Sequence, residues 1–226
     1  MARASSERGE VVLRRRWDPD AAGAPTALEL RVNGVFVMDS LETTSEIALA
    51  KAALQQVADP SCVLVGGLGL GFTVHEVLSD HRVEHVVVAE IEDALVRWFR
   101  DGTIPHGRPY LADGRVSISV ADVQLVVEEA APGTYDLILL DVDNGPDFLV
   151  HESNAALYRT GFLRRAHSAL RSGGAVVIWS STRSPALEQA LDEAFGEFRT
   201  EDHPVVLQGR DETYWLHGAV KQAVTR

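Results

Sequence analysis

The rhythm of apolar and polar positions changes near residue 60. Before that point, Val11 to Trp17 and Ala27 to Val32 are apolar-rich stretches. Asp18-Pro19-Asp20 and Gly23-Ala24-Pro25 separate them and read as a loop. Asn33-Gly34 then stands between Leu28 to Val32 and Val35 to Met38, a strong short-range hairpin signal. Residues 11–38 therefore predict a β element, carried in an N-terminal β-hairpin extension over 1–42. A helix is expected from Thr44 to Val57, capped by Thr43 or Thr44, with Ile47, Leu49, Ala50, Leu54 and Val57 as its apolar stripe.

Beyond residue 60 the pattern alternates between strand and helix. Cys62 to Val65 is a short, continuously apolar run, as a buried parallel strand requires. A glycine-rich turn leads into a helix from Phe72 to Leu78. Strand His85 to Ala89 ends in Glu90, and a helix is expected over Ile91 to Phe99. Val116 to Val120 is a third strand, followed by a short helix from Val123 to Glu129. Asp136 to Leu140 is a fourth strand ending in Asp141. Thr160 starts a helix through Leu170 that Gly173-Gly174 stops. Ala175 to Trp179 is a fifth strand, and Ser184 or Pro185 opens a helix to Phe195. Two last strands, Pro204 to Leu207 and Thr213 to Val220, have no helix between them and predict an antiparallel edge. The fold class is thus α/β: a Rossmann-like, doubly wound, mostly parallel seven-stranded sheet over 43–220. A tail covers 221–226.

At 226 residues the chain can bury one sizeable core, and its apolar (46%) and charged (24%) fractions are those of a globular protein. No apolar run approaches the roughly 20 residues of a membrane span. The first ten residues lack the apolar stretch of a secretory signal. Cys62 is the single cysteine, so no intramolecular disulfide forms; together these features lead to an expected cytoplasmic location without a membrane partner. The net charge of −12 disfavours nucleic acid and suits a cationic ligand. Arg14-Arg15-Arg16 is a basic exception, read as a solvated strand edge.

Candidate chemistry begins at Val65-Gly66-Gly67-Leu68-Gly69-Leu70-Gly71-Phe72, between a strand and a helix. Glycine permits the sharp turn and lets a ligand approach bare backbone. The dinucleotide spacing G-x-G-x-x-G fails, because Phe72 falls where a third glycine is needed after Gly67 and Gly69. Gly67-x-Gly69-x-Gly71 is the shape used by S-adenosylmethionine enzymes. A phosphate loop needs Gly-Lys-Ser/Thr, and Phe72-Thr73 follows Gly71 instead.

In open α/β sheets the ligand lies at the carboxyl ends of the strands. Glu90, 19 residues after Gly71, is placed to accept the hydroxyls of a ribose diol. Asp122 suits either the exocyclic amine of adenine or a helix N-cap, and the two roles are compatible. Asp141, Asp143 and Asp147 crowd the end of the fourth strand. An exposed acidic loop explains Asp147. Asp141 ends a buried run, where an acid is costly unless paired or used. A cationic amine would pair it, and removal of the amine's proton would prepare a nucleophile for attack on a sulfonium carbon.

At these residues the chain resembles the spermidine synthase family, the polyamine aminopropyltransferases, on the class I methyltransferase fold. The resemblance runs from about Gly34 to Ser180. It includes Val63 to Gly67, Val88-Ala89-Glu90-Ile91-Glu92, Ala121-Asp122, Tyr135 to Asp141 and Leu170 to Gly174. It implies transfer of an aminopropyl or related alkyl group to a small-molecule amine from S-adenosylmethionine or its decarboxylated form, without a metal. The adenosyl part is expected against Gly66, Gly67, Gly69, Gly71, Glu90, Ile91, Asp122 and Val123, with Asp141 and Asp143 as catalytic acids. A homodimer is also implied. There are departures: Gly69 replaces an Asp of the glycine turn, and Asp141-Val142-Asp143-Asn144 replaces Asp-x-x-Asp-Pro. Thr44-Ser45-Glu46 replaces Tyr-(His/Gln)-Glu, and the N-terminal β region is short.

The eight histidines form no metal-ligand spacing. Tyr158, Tyr214 and Trp215 read as packed aromatics or a substrate cover, His151 and Glu152 as residues near a pocket, and Cys62 as a small buried apolar group. Two alternatives stand beside aminopropyl transfer. One is a small-molecule methyltransferase using intact S-adenosylmethionine. The other is a noncatalytic homologue that binds a nucleoside or a protein partner.

Overall fold

The computed structural model describes residues 1–16, 27–207 and 209–223. The predicted loop through residues 18–25, the end of the first predicted strand at Trp17 and the last three residues of the tail lie outside the described residues.

Four antiparallel strands open the chain: β1 (Ala2–Ser6), β2 (Gly9–Arg16), β3 (Ala27–Val32) and β4 (Val35–Asp39), in that order across the sheet. The predicted Asn-Gly hairpin joins β3 to β4, with positive φ at both Asn33 (52°) and Gly34 (79°), as a tight hairpin turn demands. β1 is a strand that the pattern does not predict. Its sequence, Ala-Arg-Ala-Ser-Ser, holds no β-branched or aromatic residue. It forms through pairing with β2, from Ala2 opposite Leu13 to Ser6 opposite Gly9. The hairpin extension is therefore a four-stranded sheet.

The seven-stranded sheet has the order β10-β11-β9-β8-β5-β6-β7. Its strands are β5 (Cys62–Gly66), β6 (His85–Glu90), β7 (Val116–Val120), β8 (Tyr135–Leu140), β9 (Leu170–Ser180), β10 (Arg199–Leu207) and β11 (Arg210–Val220). The first five are parallel, and the last two add the predicted antiparallel edge. The helices are α1 (Thr44–Gln56), α2 (Phe72–Ser79), α3 (Asp93–Asp101), α4 (Gly107–Ala112), α5 (Val123–Glu129), α6 (Thr160–Ala169) and α7 (Pro185–Phe195), with a 3-10 helix over Glu152–Tyr158.

The continuous apolar runs have a simple cause. Val63 and Val65 of β5 and Leu137 and Leu139 of β8 face one core, shared with the four-stranded sheet and α1. Leu64, Ile138 and Leu140 face the other, shared with α5, α6 and α7. Both faces of the central strands are covered, so alternation disappears. Among the described residues, no helix is long and apolar enough to cross a membrane.

Several local expectations change. Thr43 precedes α1 but its side chain makes no capping bond; the Glu42 carboxylate accepts from the Thr44 amide instead, at 2.9 Å. The buried face of α1 is Ser45, Glu46, Leu49, Ala50, Ala53 and Leu54, with Ile47 only half-buried. α3 starts at Asp93, because Ile91 and Glu92 form the turn that follows Glu90. α6 ends at Ala169 and β9 begins at the next residue. Gly173 and Gly174 sit inside that strand, where their backbone pairs with Lys221 at 2.8 Å rather than stopping a helix. Cys62 is half-buried. α4 and the 3-10 helix are too short for periodicity to reveal. β11 meets β9 only from Trp215 to Val220, so the rest of the β10–β11 hairpin overhangs the sheet.

The basic run is no simple solvated edge. Glu29 is 1% exposed, and Arg14 and Arg31 reach its carboxylate at 2.7 and 2.6 Å. Arg16 pairs with buried Asp39 at 2.7 Å; only Arg15 is fully exposed. Two buried acids are thus neutralised by guanidinium groups at their rim. Removing one member of such a buried cluster leaves the others uncompensated. Glu29→Ala is expected to lower stability by about 3 kcal/mol in urea denaturation. A loss below about 1 kcal/mol would mean that solvent, not Glu29, balances the arginines.

Candidate active site

β5 runs out at Gly66, and the chain turns through residues 67–71 into α2. Gly67 has φ of 92°, and a β-carbon on it would stand 2.0 Å from the Asp141 carbonyl oxygen. Gly69 has φ of 51°, and its β-carbon would meet the Met38 sulfur at 2.7 Å. Both are glycine because protein atoms crowd the turn, in addition to any ligand. An Asp at position 69 would be strained by the positive φ and would need the Met38 side chain to move.

The strand ends of β5, β6, β7 and β8 and the inner face of the four-stranded sheet enclose a cleft with about 680 Å³ of atom-free space, part of it open to solvent. Gly67, Gly69, Glu90, Ile91, Asp122, Val123 and Asp141 all line it. Gly66 and Gly71 do not: Gly66 packs on Val123 and Gly71 on Phe99. Leu30, Val32 and Val37 supply an apolar wall that sequence reasoning missed. Those residues alternate on strands whose partner face is visible only once the sheet is docked.

Glu90 is buried, and each of its carboxylate oxygens accepts a backbone amide: Oε2 from Leu68 at 2.8 Å and Oε1 from Glu92 at 2.7 Å. Burial raises its pKa against the pull of those bonds. Asp122 is the N-cap of α5, where Oδ1 accepts from the Gln124 amide at 2.8 Å. It also lines the cleft, so its capping role leaves it on the cleft wall.

A second, smaller cavity adjoins the first. Val37, Gly69, Asp141 and Val142 line both. Its other lining groups include Glu46, Asp143, Trp179 and Tyr214. Asp141 Oδ2 accepts from the Thr73 hydroxyl at 2.8 Å, while burial pushes its pKa from 3.8 up to about 6. Glu46 is 8% exposed and accepts from the Ser45 hydroxyl at 2.7 Å. Burial first, and then the Asp141 charge, push its pKa from 4.5 up to about 8. Glu46 is an acidic site residue that sequence reasoning missed. Its signal was an acid on the buried side of a helix that otherwise follows an apolar stripe. No lysine or arginine lines either cavity among the described residues.

Asp143 lies in the loop after β8. Its Oδ1 accepts from the Val150 amide at 2.9 Å, which pins that loop, and its Oδ2 is buried without a partner. Burial raises its pKa. Asp147 is exposed and accepts from the Thr182 hydroxyl at 2.8 Å, outside both cavities. His151 lines the first cleft, whereas Glu152 is exposed. Tyr214 stacks edge-on against Trp179, with ring centroids 4.8 Å apart. Tyr158 is buried beneath the loop, and the Arg183 guanidinium lies 5.8 Å from the centroid of the Trp215 ring. No cluster of three or more His, Cys, Asp or Glu side chains suited to a metal ion occurs among the described residues.

This arrangement can be set beside known proteins. Residues 42–195 match the model of the spermine/spermidine synthase domain. Polyamine aminopropyltransferase 2 of Pseudomonas aeruginosa is 31% identical over 144 residues, which cover 62% of this chain and 39% of that protein. Polyamine aminopropyltransferase 2 of Hyperthermus butylicus is 30% identical over 217 residues, covering 88% of this chain and 68% of that one. Putrescine N-methyltransferase 4 of Nicotiana tabacum is 33% identical over 129 residues, or 54% of this chain and 30% of its own length. The aligned part of this chain therefore ranges from about a third to two thirds of these relatives. A crystal structure of spermidine synthase with the transition-state analogue AdoDATO superposes with a TM-score of 0.79 at 18% identity, over 98% of this chain and 73% of that one, a likeness of fold. With the glycine turn, the strand-end acids and the domain match in agreement, the chain belongs to the spermine/spermidine synthase domain family.

Proposed function

We propose that the protein transfers an aminopropyl group from decarboxylated S-adenosylmethionine to a small-molecule amine. One observation carries the reading: two cavities meet at Gly69 and Asp141, one suited to a nucleoside and the other acidic and flanked by aromatic rings. The adenosyl part would lie in the first cleft, against Glu90 and Asp122. Its sulfonium would then stand near the junction, and the acceptor amine would enter from the second cavity. A carboxylate of the Asp141–Glu46 pair takes a proton from the ammonium. The freed lone pair attacks the carbon beside sulfur, the C–S bond breaks, and its electrons return to sulfur as a neutral thioether.

The lining charge supports the decarboxylated donor. Both cavities are lined by several acids and by no lysine or arginine among the described residues, and that lining favours a donor whose tail ends in an ammonium. The carboxylate of intact S-adenosylmethionine would face it without a cation of the protein's own. The tobacco putrescine N-methyltransferase keeps a second reading in view, in which a methyl group moves to an amine in the same cavity.

Incubation with each donor and a panel of linear diamines and polyamines, followed by mass spectrometry, tests the reading. A mass gain of one aminopropyl unit on an amine is expected from the decarboxylated donor. Methylated product from intact S-adenosylmethionine, and no aminopropyl product, would favour the second reading. In calorimetry the decarboxylated donor should bind at least about tenfold tighter, or about 1.4 kcal/mol. The reverse order would sink aminopropyl transfer.

Asp141→Asn is expected to stay folded and to bind the adenosyl ligand as the wild type does, while turnover falls by about 100-fold or more, the range for loss of a proton acceptor. Wild-type turnover would make Asp141 a structural residue.

The raised pKa values of Asp141 and Glu46 predict a pH dependence of amine binding. Between about pH 6 and 8 the empty site holds protons that an entering ammonium displaces. Release of protons on binding means that affinity rises with pH across this window. Titrations in buffers of different ionisation heat should record that release, and Glu46→Gln should reduce it. Amine affinity that is flat in pH, with no proton release, would separate these two acids from the amine.

A further inference from the structure

We infer that Thr73 is a positioning residue for the transfer step: its hydroxyl holds one oxygen of Asp141 and keeps Asp141, rather than Glu46, as the ionised member of the pair that takes the amine's proton. This rests on the transfer reading given above. Thr73 lies in the first turn of α2, just past the glycine turn, and is buried. Its hydroxyl donates to Asp141 Oδ2 at 2.8 Å and so ties the start of α2 to the end of β8, 68 positions further along the chain. A helical threonine often gives its hydroxyl to the backbone of the preceding turn. Thr73 gives it instead to a carboxylate that lines both cavities. No other side chain donates to Asp141 among the described residues.

The neighbours of Asp141 give that single bond its weight. In the second cavity α1 brings Glu46, the segment before it Glu42, β4 Asp39, the loop after β8 Asp143, and β11 Tyr214. Asp39 is already paired with Arg16. The titratable groups of the first cleft are Glu90, Glu92, Asp122 and His151, and the buried Tyr158 lies within reach of the Asp141 charge. Burial pushes the Asp141 carboxyl up, and the Thr73 hydroxyl pulls it back. Glu46 also accepts a hydroxyl, but from Ser45, the residue beside it in the chain. That bond moves with the helix, whereas Thr73 anchors Asp141 to a different element. Of two acids that share a site, the one whose ionised form is better held gives up its proton first. Thr73 occupies Oδ2 and leaves Oδ1 for the proton of the entering ammonium. The amine lone pair then attacks the carbon beside sulfur, the C–S bond electrons return to sulfur, and Asp141 later releases the proton to solvent.

The test is a pH titration followed by NMR of protein isotope-labelled in the carboxyl carbons of Asp and Glu. The Asp141 and Glu46 signals are identified by their absence from Asp141→Asn and Glu46→Gln. In the wild type Asp141 should lose its proton before Glu46 as the pH rises. The reverse order overturns the inference, whether or not any Thr73 variant folds. Thr73→Val keeps the shape of the side chain and removes the donor. The Asp141 midpoint should then rise by about one pH unit, about tenfold in proton affinity, as loss of a hydrogen bond to a charged group implies. Thr73→Ser keeps the hydroxyl and should restore the wild-type midpoint. A midpoint that Thr73→Val leaves in place, or that Thr73→Ser moves as far, overturns the inference. The second readout is the pH profile of kcat/KM for aminopropyl transfer from decarboxylated S-adenosylmethionine to the diamine that the wild type uses best. In Thr73→Val the acid limb should move to higher pH by the same amount, while methylthioadenosine binds as in the wild type. A merely structural defect would weaken the nucleoside and leave the limb where it was, and that result also overturns the inference. A wild type that yields no aminopropyl product removes the transfer reading, an outcome that the titration separates from an error about Thr73.

Discussion

The central constraint in this molecule is the cost of holding carboxylates out of water, and the fold meets it in two opposite ways. In the N-terminal sheet, Glu29 and Asp39 are buried and arginines bring the compensating charge. Around the two cavities, Glu46, Asp141, Glu90 and Glu92 are buried or half-buried and no lysine or arginine lines the space. Backbone amides and hydroxyls hold Glu46, Glu90 and Asp141 in place without cancelling their charge, and one oxygen of Glu92 is buried with no partner. The first arrangement is stable on its own. The second leaves acceptors that a donor or cation would satisfy, so the same physics that marks a scaffold in one sheet marks the candidate site beside the other.

The parallel sheet is what gathers these acids. β5, β6, β7 and β8 are adjacent and point the same way, so Gly67, Glu90, Asp122 and Asp141 arrive at one edge from positions spread over 75 residues. Their side chains need no long loop to meet. The four-stranded sheet then closes the cleft from above with Leu30, Val32 and Val37, and α1 brings Glu46 to the acidic side. Charge comes mostly from strand ends and exclusion of water from the N-terminal sheet.

Most of the fold was legible because the central strands are buried on both faces and read as unbroken apolar runs. The strand-end acids were legible for a related reason: a charged residue ending such a run stands out. What escaped was set by tertiary context. β1 has no strand propensity and exists through its pairing with β2. The basic run looked solvated because the acids it neutralises lie 15 or more residues away in sequence. Glu46 hid in a helical pattern whose buried face extends beyond the apolar stripe, since that face meets a polar cavity as well as a core. Gly66 and Gly71 were expected at the ligand from the glycine turn and the resemblance; neither lines the cleft, and a β-carbon on each would meet Val123 and Phe99.

The overhang of the β10–β11 hairpin gives the acidic cavity a different character from the first cleft. Leu207 and Tyr214 line the acidic cavity from a part of the hairpin that no longer pairs with β9. The first cleft is framed by strand ends that cannot change length without shifting the register of a five-stranded parallel core. The hairpin can gain or lose a residue pair at its tip and leave that register intact. One wall is therefore fixed by the fold, and the other is free to change in length. A change in the size of the acidic cavity is cheapest at the hairpin, and a change in the first cleft is dearest at the strand ends.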